Sequence, residues 1–220
     1  MLAGTLVGVL IGPRLPEGLQ KRVLAGLGLI TLVIGVDLAL AWRDTSPLYV
    51  LGAVLLGGLA GEALGIERRL AALGDRIQRA VSSDGHSRVS EAFVTASLLF
   101  CVGPLTVVGA IQDGLTGDYD ALATKSMLDG FASIALAATL GWGVAIAAAT
   151  VLVIQGGLSL GAGLFEDALK GDALDVITST GGVLILGISL KLLDVTDVRV
   201  GNFLPALVIG PALVGLVSLL

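Results

Sequence analysis

The chain has 220 residues and a formal net charge of -5; 55% of its residues are hydrophobic, only 14% are charged and 32 are glycine. Soluble domains carry roughly 25% charged residues, so the composition excludes an ordinary water-soluble domain and makes lipid the natural solvent. A single cysteine, Cys101, and a single histidine, His86, exclude an internal disulfide and a Cys/His zinc site, and basic residues in short loops without aromatic neighbours give no nucleic-acid footprint.

Residues 1–12 are apolar, with no basic leader and no small-residue cleavage pattern, so they are read as part of the fold rather than as a signal peptide. Segment 2–12 is too short to cross a bilayer upright and is counted as a short or tilted first span. Apolar runs of about the twenty residues needed for a crossing follow near 22–41, 48–66, 91–111, 121–140, 142–163, 174–193 and 203–220. The expected fold class is an all-α polytopic membrane protein of about eight transmembrane helices, forming a single domain over 1–220.

The connection 67–90 sets Leu70, Leu73 and Ile77 against Glu67, Arg68, Arg69, Arg76 and Arg79, the pattern of an amphipathic helix at the membrane surface. With eight spans, Arg14, Lys21, Arg22, Arg68, Arg69, Arg76, Arg79, Arg88, Lys191 and Arg199 share one side, against Arg43 and Lys170 on the other. Basic loops stay in the cytoplasm. The expectation is therefore a multi-pass protein of the bacterial inner membrane with both termini outside and the 67–90 connection inside. The acidic turns around Asp113, Asp118 and Asp120, and around Glu166, Asp167, Asp172 and Asp175, then face outward.

An internal repeat organises these spans. Gly8, Gly12, Leu15 and Glu17 recur as Gly157, Gly161, Leu164 and Glu166 at a constant separation, and Leu32-Val-Ile-Gly-Val36 resembles Leu184-Ile-Leu-Gly-Ile188. Spans 1–3 correspond to spans 6–8. Thr95-Ala-Ser97-Leu-Leu resembles Thr124-Lys-Ser126-Met-Leu, relating span 4 to span 5. An odd number of spans separates the two copies, so they run in opposite directions about an axis in the membrane plane, with one unit over about 1–112 and the other over about 120–220.

Ionisable residues inside spans are candidates for function, and spans 4 and 5 concentrate them. Lys125, Ser126, Asp129 and Ser133 fall on one helical face by their spacing, with Lys125 and Asp129 able to pair. Thr95, Ser97, Cys101 and Pro104 lie along span 4, continuing to Val108 and Gln112 and ending at Asp113; Thr124 and, on span 6, Gln155 complete the candidate substrate or ion site. The Gly103-Pro104 step breaks span 4, and carbonyls freed there are candidates for cation binding. The plainer alternative is that Lys125 snorkels outward with Asp129 as counter-ion. Asp37 and Glu62 are read as interfacial, and Asn202-x-x-Pro205 opens span 8.

At the same residues the chain resembles the uncharacterised bacterial membrane-protein family typified by YdfK and YqgA. The resemblance is carried by Phe93-Val-Thr-Ala-Ser-Leu-Leu-Phe-Cys-Val-Gly-Pro104, Gln112-Asp-Gly-Leu, Gly117-Asp-Tyr, Lys125-Ser-Met-Leu-Asp-Gly130 and Gly182-Val-Leu-Ile-Leu-Gly187. It implies that the span 4 and 5 block is the family's hallmark and brings no substrate with it. No nucleophile, zinc-protease or phosphate-loop motif is present, so neither an enzyme nor a cofactor is expected. The expected function is a secondary transporter or channel for an ion or small polar solute, with a polar site between spans 4 and 5. The alternative is a structural or accessory inner-membrane protein whose polar core is a packing network. The expected partners are the lipid bilayer, the solute and, from the glycine-rich faces, further copies in a homo-oligomer.

Overall fold

The computed structural model describes residues 1–81, 88–102, 104–165 and 171–218, and among these every regular element is helical. Gly103, His86, Lys170, Glu166 and Asp167 lie outside the described residues, as do the side chains of Ile77, Pro104, Val108 and Leu164. In chain order the α-helices are α1 (Leu2–Ile11), α2 (Glu17–Ala39), α3 (Pro47–Leu64), α4 (Ile66–Val81), α5 (Val89–Val102), α6 (Pro104–Thr116), α7 (Asp120–Leu140), α8 (Ala147–Leu160), α9 (Ala162–Phe165), α10 (Asp172–Leu192) and α11 (Ala206–Val217).

Local chemistry places the ends. The Ser46 side chain accepts from the Leu48 N–H at 3.4 Å just ahead of Pro47, the usual opening of a helix whose first N–H groups have no internal partner. Gly65, at φ 62°, closes α3 in the left-handed conformation, so α4 departs at once along a new direction.

Five helical segments are long and apolar enough to cross a membrane: Glu17–Asp44, Pro47–Leu64, Trp142–Leu160, Asp172–Leu192 and Val200–Val217. A sixth candidate is the pair Val89–Val102 and Leu105–Thr116, which is bent by 76° at the proline step, and Leu2–Arg14 is a shorter apolar helix. The helix over 121–140 forms as α7, with Asp120, Lys125 and Asp129 among its residues. Among the described residues the apolar runs are thus predominantly helical, and by length and composition five helices are candidate crossings.

The core sits on α5 and α10. Ala92 through Leu98 and Phe100 are buried on all sides of α5, and Val176, Ile177, Leu184, Ile185 and Ile188 do the same on α10. Leu6, Leu48, Leu59, Leu152 and Leu160, on the outer helices, stand exposed, Leu160 at 93%. In water such a surface would be an aggregation liability; in hydrocarbon it costs nothing.

Close backbone contacts bind the outer helices inward. A Cβ at Gly57 would lie 2.5 Å from the Ala206 backbone, and Gly61 abuts Asn202, so α3 and α11 run antiparallel. Gly28 against Leu193, Gly35 against Leu186 and Gly182 against Ala39 make α2 and α10 antiparallel as well. Gly4 against Gly130, Gly8 against Ile134 and Gly12 against Ala138 set α1 parallel to α7.

The amphipathic helix expected at 67–90 is α4, described to residue 81. It is pinned at both ends: the Glu67 N–H donates to Asn202 Oδ1 at 2.7 Å, the Gly201 N–H donates to Glu67 Oε2 at 2.7 Å, and the Ser90 N–H donates to Gln78 Oε1 at 3.1 Å. Asn202 Nδ2 also donates to Glu62. Glu62 and Asn202 therefore join the end of α3 to the loop before α11.

Candidate functional site

A shielded ion pair of the interior lies on α7. This helix starts after a turn in which Gly117 adopts φ 71° and Asp118 Oδ1 accepts from the Asp120 N–H at 3.1 Å. One turn further in, the Lys125 ammonium donates to the Asp129 carboxylate on the same helix face. Both side chains are shielded, at 7% and 13% exposure, which is what separates this pair from a surface ion pair. The Phe100 ring of α5 lies 6.0 Å from the Lys125 ammonium, giving it a second favourable neighbour. One turn beyond, the Ser133 hydroxyl donates to the Asp129 carbonyl at 2.6 Å.

This pair forms part of the wall of a groove of about 620 Å³. The groove follows α2 from Val23 to Leu38 and is completed by Leu99 and Phe100, by Leu105, by Ile185 and by α7 from Lys125 to Ala135. Its polar side chains are Lys125, Asp129 and Thr31, and the Thr31 hydroxyl is turned back to the Leu27 carbonyl at 2.8 Å. Ile30 and Phe131 on its rim are exposed at 61% and 74%. The groove therefore opens onto an exposed apolar surface.

The ten candidate residues do not form one site. Lys125 and Asp129 are in the groove. Thr124 and Ser126 are exposed on other faces of α7, with the Ser126 hydroxyl donating to its own helix at Ala123 at 2.8 Å. Thr95 and Ser97 are buried on α5, and the Ser97 hydroxyl donates to Thr150 on α8 at 3.2 Å. Asp113 on α6 accepts from the Ser159 hydroxyl at 2.7 Å, Gln112 is exposed, and Gln155 is half-buried on α8. The Ser97–Thr150 and Asp113–Ser159 bonds form a polar seam between α5–α6 and α8, apart from the groove.

Pro104 opens α6 at the bend. The buried Thr106 hydroxyl donates to the Phe100 carbonyl at 2.9 Å, so this carbonyl is satisfied within the protein. The groove also holds partners that the sequence did not single out. Thr31 and Phe100 come from other helices, and no spacing rule joins them to Lys125. Thr150 and Ser159 are likewise far from their partners in sequence.

The chain is 32% identical over 216 residues to the uncharacterized membrane protein YdfK of Bacillus subtilis (strain 168), covering 97% of this chain and 91% of that protein. It is 30% identical over 213 residues to the uncharacterized protein YqgA of Escherichia coli (strain K12), covering 95% and 90%. No solved structure matches. The family described as "Protein of unknown function (DUF554)" matches residues 1–215, and the chain, an all-helical membrane protein, belongs to that family.

Proposed function

We propose that this protein is a small secondary transporter or channel for an ion or a small solute with a polar head, with Lys125 and Asp129 as its charge-bearing site. The observation that carries the reading is a shielded ion pair in the wall of an open groove, beside the bend between α5 and α6. Ionisable groups at membrane depth are costly to keep and are a mark of function. Transporter folds place such groups beside interrupted helices.

The packing favours the inverted repeat and, with it, eight spans. Exchanging spans 1–3 with 6–8 and span 4 with span 5 maps the α2–α10 pair and the α3–α11 pair each onto itself, and both are antiparallel as an in-plane axis requires. The same exchange maps α1 beside α7 onto α8 beside α5–α6. The second pair is also parallel, because Ser97 meets Thr150 and Asp113 meets Ser159. Gly157 departs from the pattern: a Cβ there meets nothing within 4 Å, whereas its counterpart Gly8 is packed. A homo-oligomer now rests on that uncovered stretch of α8, since the glycines of α1 and α3 are used within the chain. An inner-membrane location with both termini outside follows from the distribution of Lys and Arg.

Flux through proteoliposomes tests the reading. Asp129→Asn keeps the size of the side chain and removes its charge, so transport is expected to fall by at least about tenfold. Equal flux by wild type and variant across a panel of ions, amino acids and aliphatic carboxylates overturns it. The competing packing-network reading has its own support in the Thr106 hydroxyl that satisfies Phe100, and it gains if the wild type moves nothing.

A further inference from the structure

The lining of the groove narrows the cargo. A polar solute or a hydrated ion needs polar groups along its path to replace water, and this wall offers three, one of them turned back on its own helix. Cavities of about 300–1,000 Å³, mostly apolar and with a few fixed polar groups, are instead the form of sites that bind a largely apolar molecule and orient it by one end.

Shape and charge specify that molecule. Fifteen residue steps along α2, from Val23 to Leu38, correspond to about 22 Å at 1.5 Å per residue, so the groove is long and narrow. α7 runs parallel to α1 and α2 leaves the far end of α1, so the ion pair lies toward the Leu38 end, with Ala135 and Val23 at the other. The Lys125 ammonium has three donors, and Asp129 is its hydrogen-bond partner in the structure. A second acceptor can therefore be taken up from the groove.

We propose, building on the transport reading, that the groove takes an aliphatic monocarboxylic acid from the bilayer, its chain along α2 and its carboxyl group at Lys125 and Asp129. The uncharged acid enters without adding net charge to the site. Its O–H bond breaks as an O–H bond forms on Asp129, and the new carboxylate takes the Lys125 ammonium that Asp129 releases. The site holds one ammonium, one carboxylate and one carboxylic acid afterwards, so no unpaired charge is left in the low-dielectric wall. The other titratable groups that act on the pair are Cys101 on α5 and the amino group of Met1; the linings from α2, α6 and α10 bring none.

Equilibrium binding of radiolabelled dodecanoate to the full chain in phosphatidylcholine nanodiscs, corrected for empty nanodiscs, tests this. Saturable binding is expected, with unlabelled dodecanol and dodecylammonium competing at least about tenfold more weakly than dodecanoate. Two variants locate it. Gly26→Leu projects into the groove, where a Cβ meets no atom within 4 Å, and is expected to remove binding from a folded protein. Gly157→Leu, equally open and outside the groove, is expected to leave it intact. The double variant Lys125→Met/Asp129→Asn, which strands no charge, is expected to bind dodecanoate no better than dodecanol.

Equal competition by all three amphiphiles, binding that survives Gly26→Leu, or no saturable binding overturns the proposal. If dodecanoate does not bind yet ion or solute flux still depends on Asp129, the cargo assignment falls and the transport reading stands. If neither is seen, both fall.

Discussion

Removing Lys125 alone leaves the Asp129 carboxylate in an apolar wall without its counter-ion. Breaking one side of a shielded pair typically costs about 3–5 kcal/mol, whereas replacing both partners by uncharged groups is often close to neutral. Thermal unfolding in nanodiscs is therefore expected to rank wild type and Lys125→Met/Asp129→Asn together, with Lys125→Met well below both. A single variant as stable as the double one means that the pair is solvated and contributes little. The pair was legible in the sequence because residues four apart on a helix are neighbours whatever the fold around them. The ring of Phe100 beneath Lys125 was not, since only the packing of α5 on α7 brings it there. Ser126 shows the same limit from the other side: its spacing suggested a place beside Lys125, and the structure turns it outward to bond its own helix.

At the scale of elements, the glycines separate into those that allow helix contact and those that do not. Gly57 and Gly26 are both mid-helix, yet a Cβ at Gly57 would fall 2.5 Å from the Ala206 backbone and one at Gly26 meets nothing within 4 Å. Gly57→Ala is expected to force α3 and α11 apart and destabilise by about 1–3 kcal/mol, the usual cost of overpacking. Gly26→Ala is expected to stabilise by about 0.5–1 kcal/mol, because the unfolded chain loses freedom that the helix never used. Opposite signs in the unfolding midpoints check the pair of predictions, and like signs refute them. Helix existence was legible among the described residues, since the apolar runs of sufficient length became helical, the run over 91–111 as two helices. The interruption at Pro104 was legible as well, because proline removes a backbone donor. The 76° bend and the use of Thr106 to satisfy Phe100 depend on what packs around the step, and one segment's sequence does not contain that.

The whole molecule turns on whether the bent α5–α6 pair crosses the bilayer. In the eight-span arrangement it does, which returns the chain at the α6–α7 turn to the side it left at α3. If the pair instead dips in and comes back, that turn stays on the side of α4. The positions that decide between the two are exposed: Asp44 before α3, Asp75 on α4, Tyr119 before α7 and Asp197 before α11. Single cysteines at these sites, in a Cys101→Ala background, can be probed with a membrane-impermeant maleimide on intact and on lysed cells. Asp44→Cys and Tyr119→Cys are expected to label in intact cells, and Asp75→Cys and Asp197→Cys only after lysis, because an arginine-rich α4 is expected on the cytoplasmic side. Asp44, Asp75 and Asp197 keep the same sides even if α5–α6 and α7 both fail to cross, so Tyr119 alone carries the decision. Labelling of Tyr119→Cys confined to lysed cells, with the other three sites labelled as expected, would reduce the crossings below eight and end the correspondence of span 4 with span 5, while α1–α3 and α8–α11 would remain opposed. Lys125 and Asp129 would then lie on a helix outside any repeat, and the case for transport would rest on the groove alone.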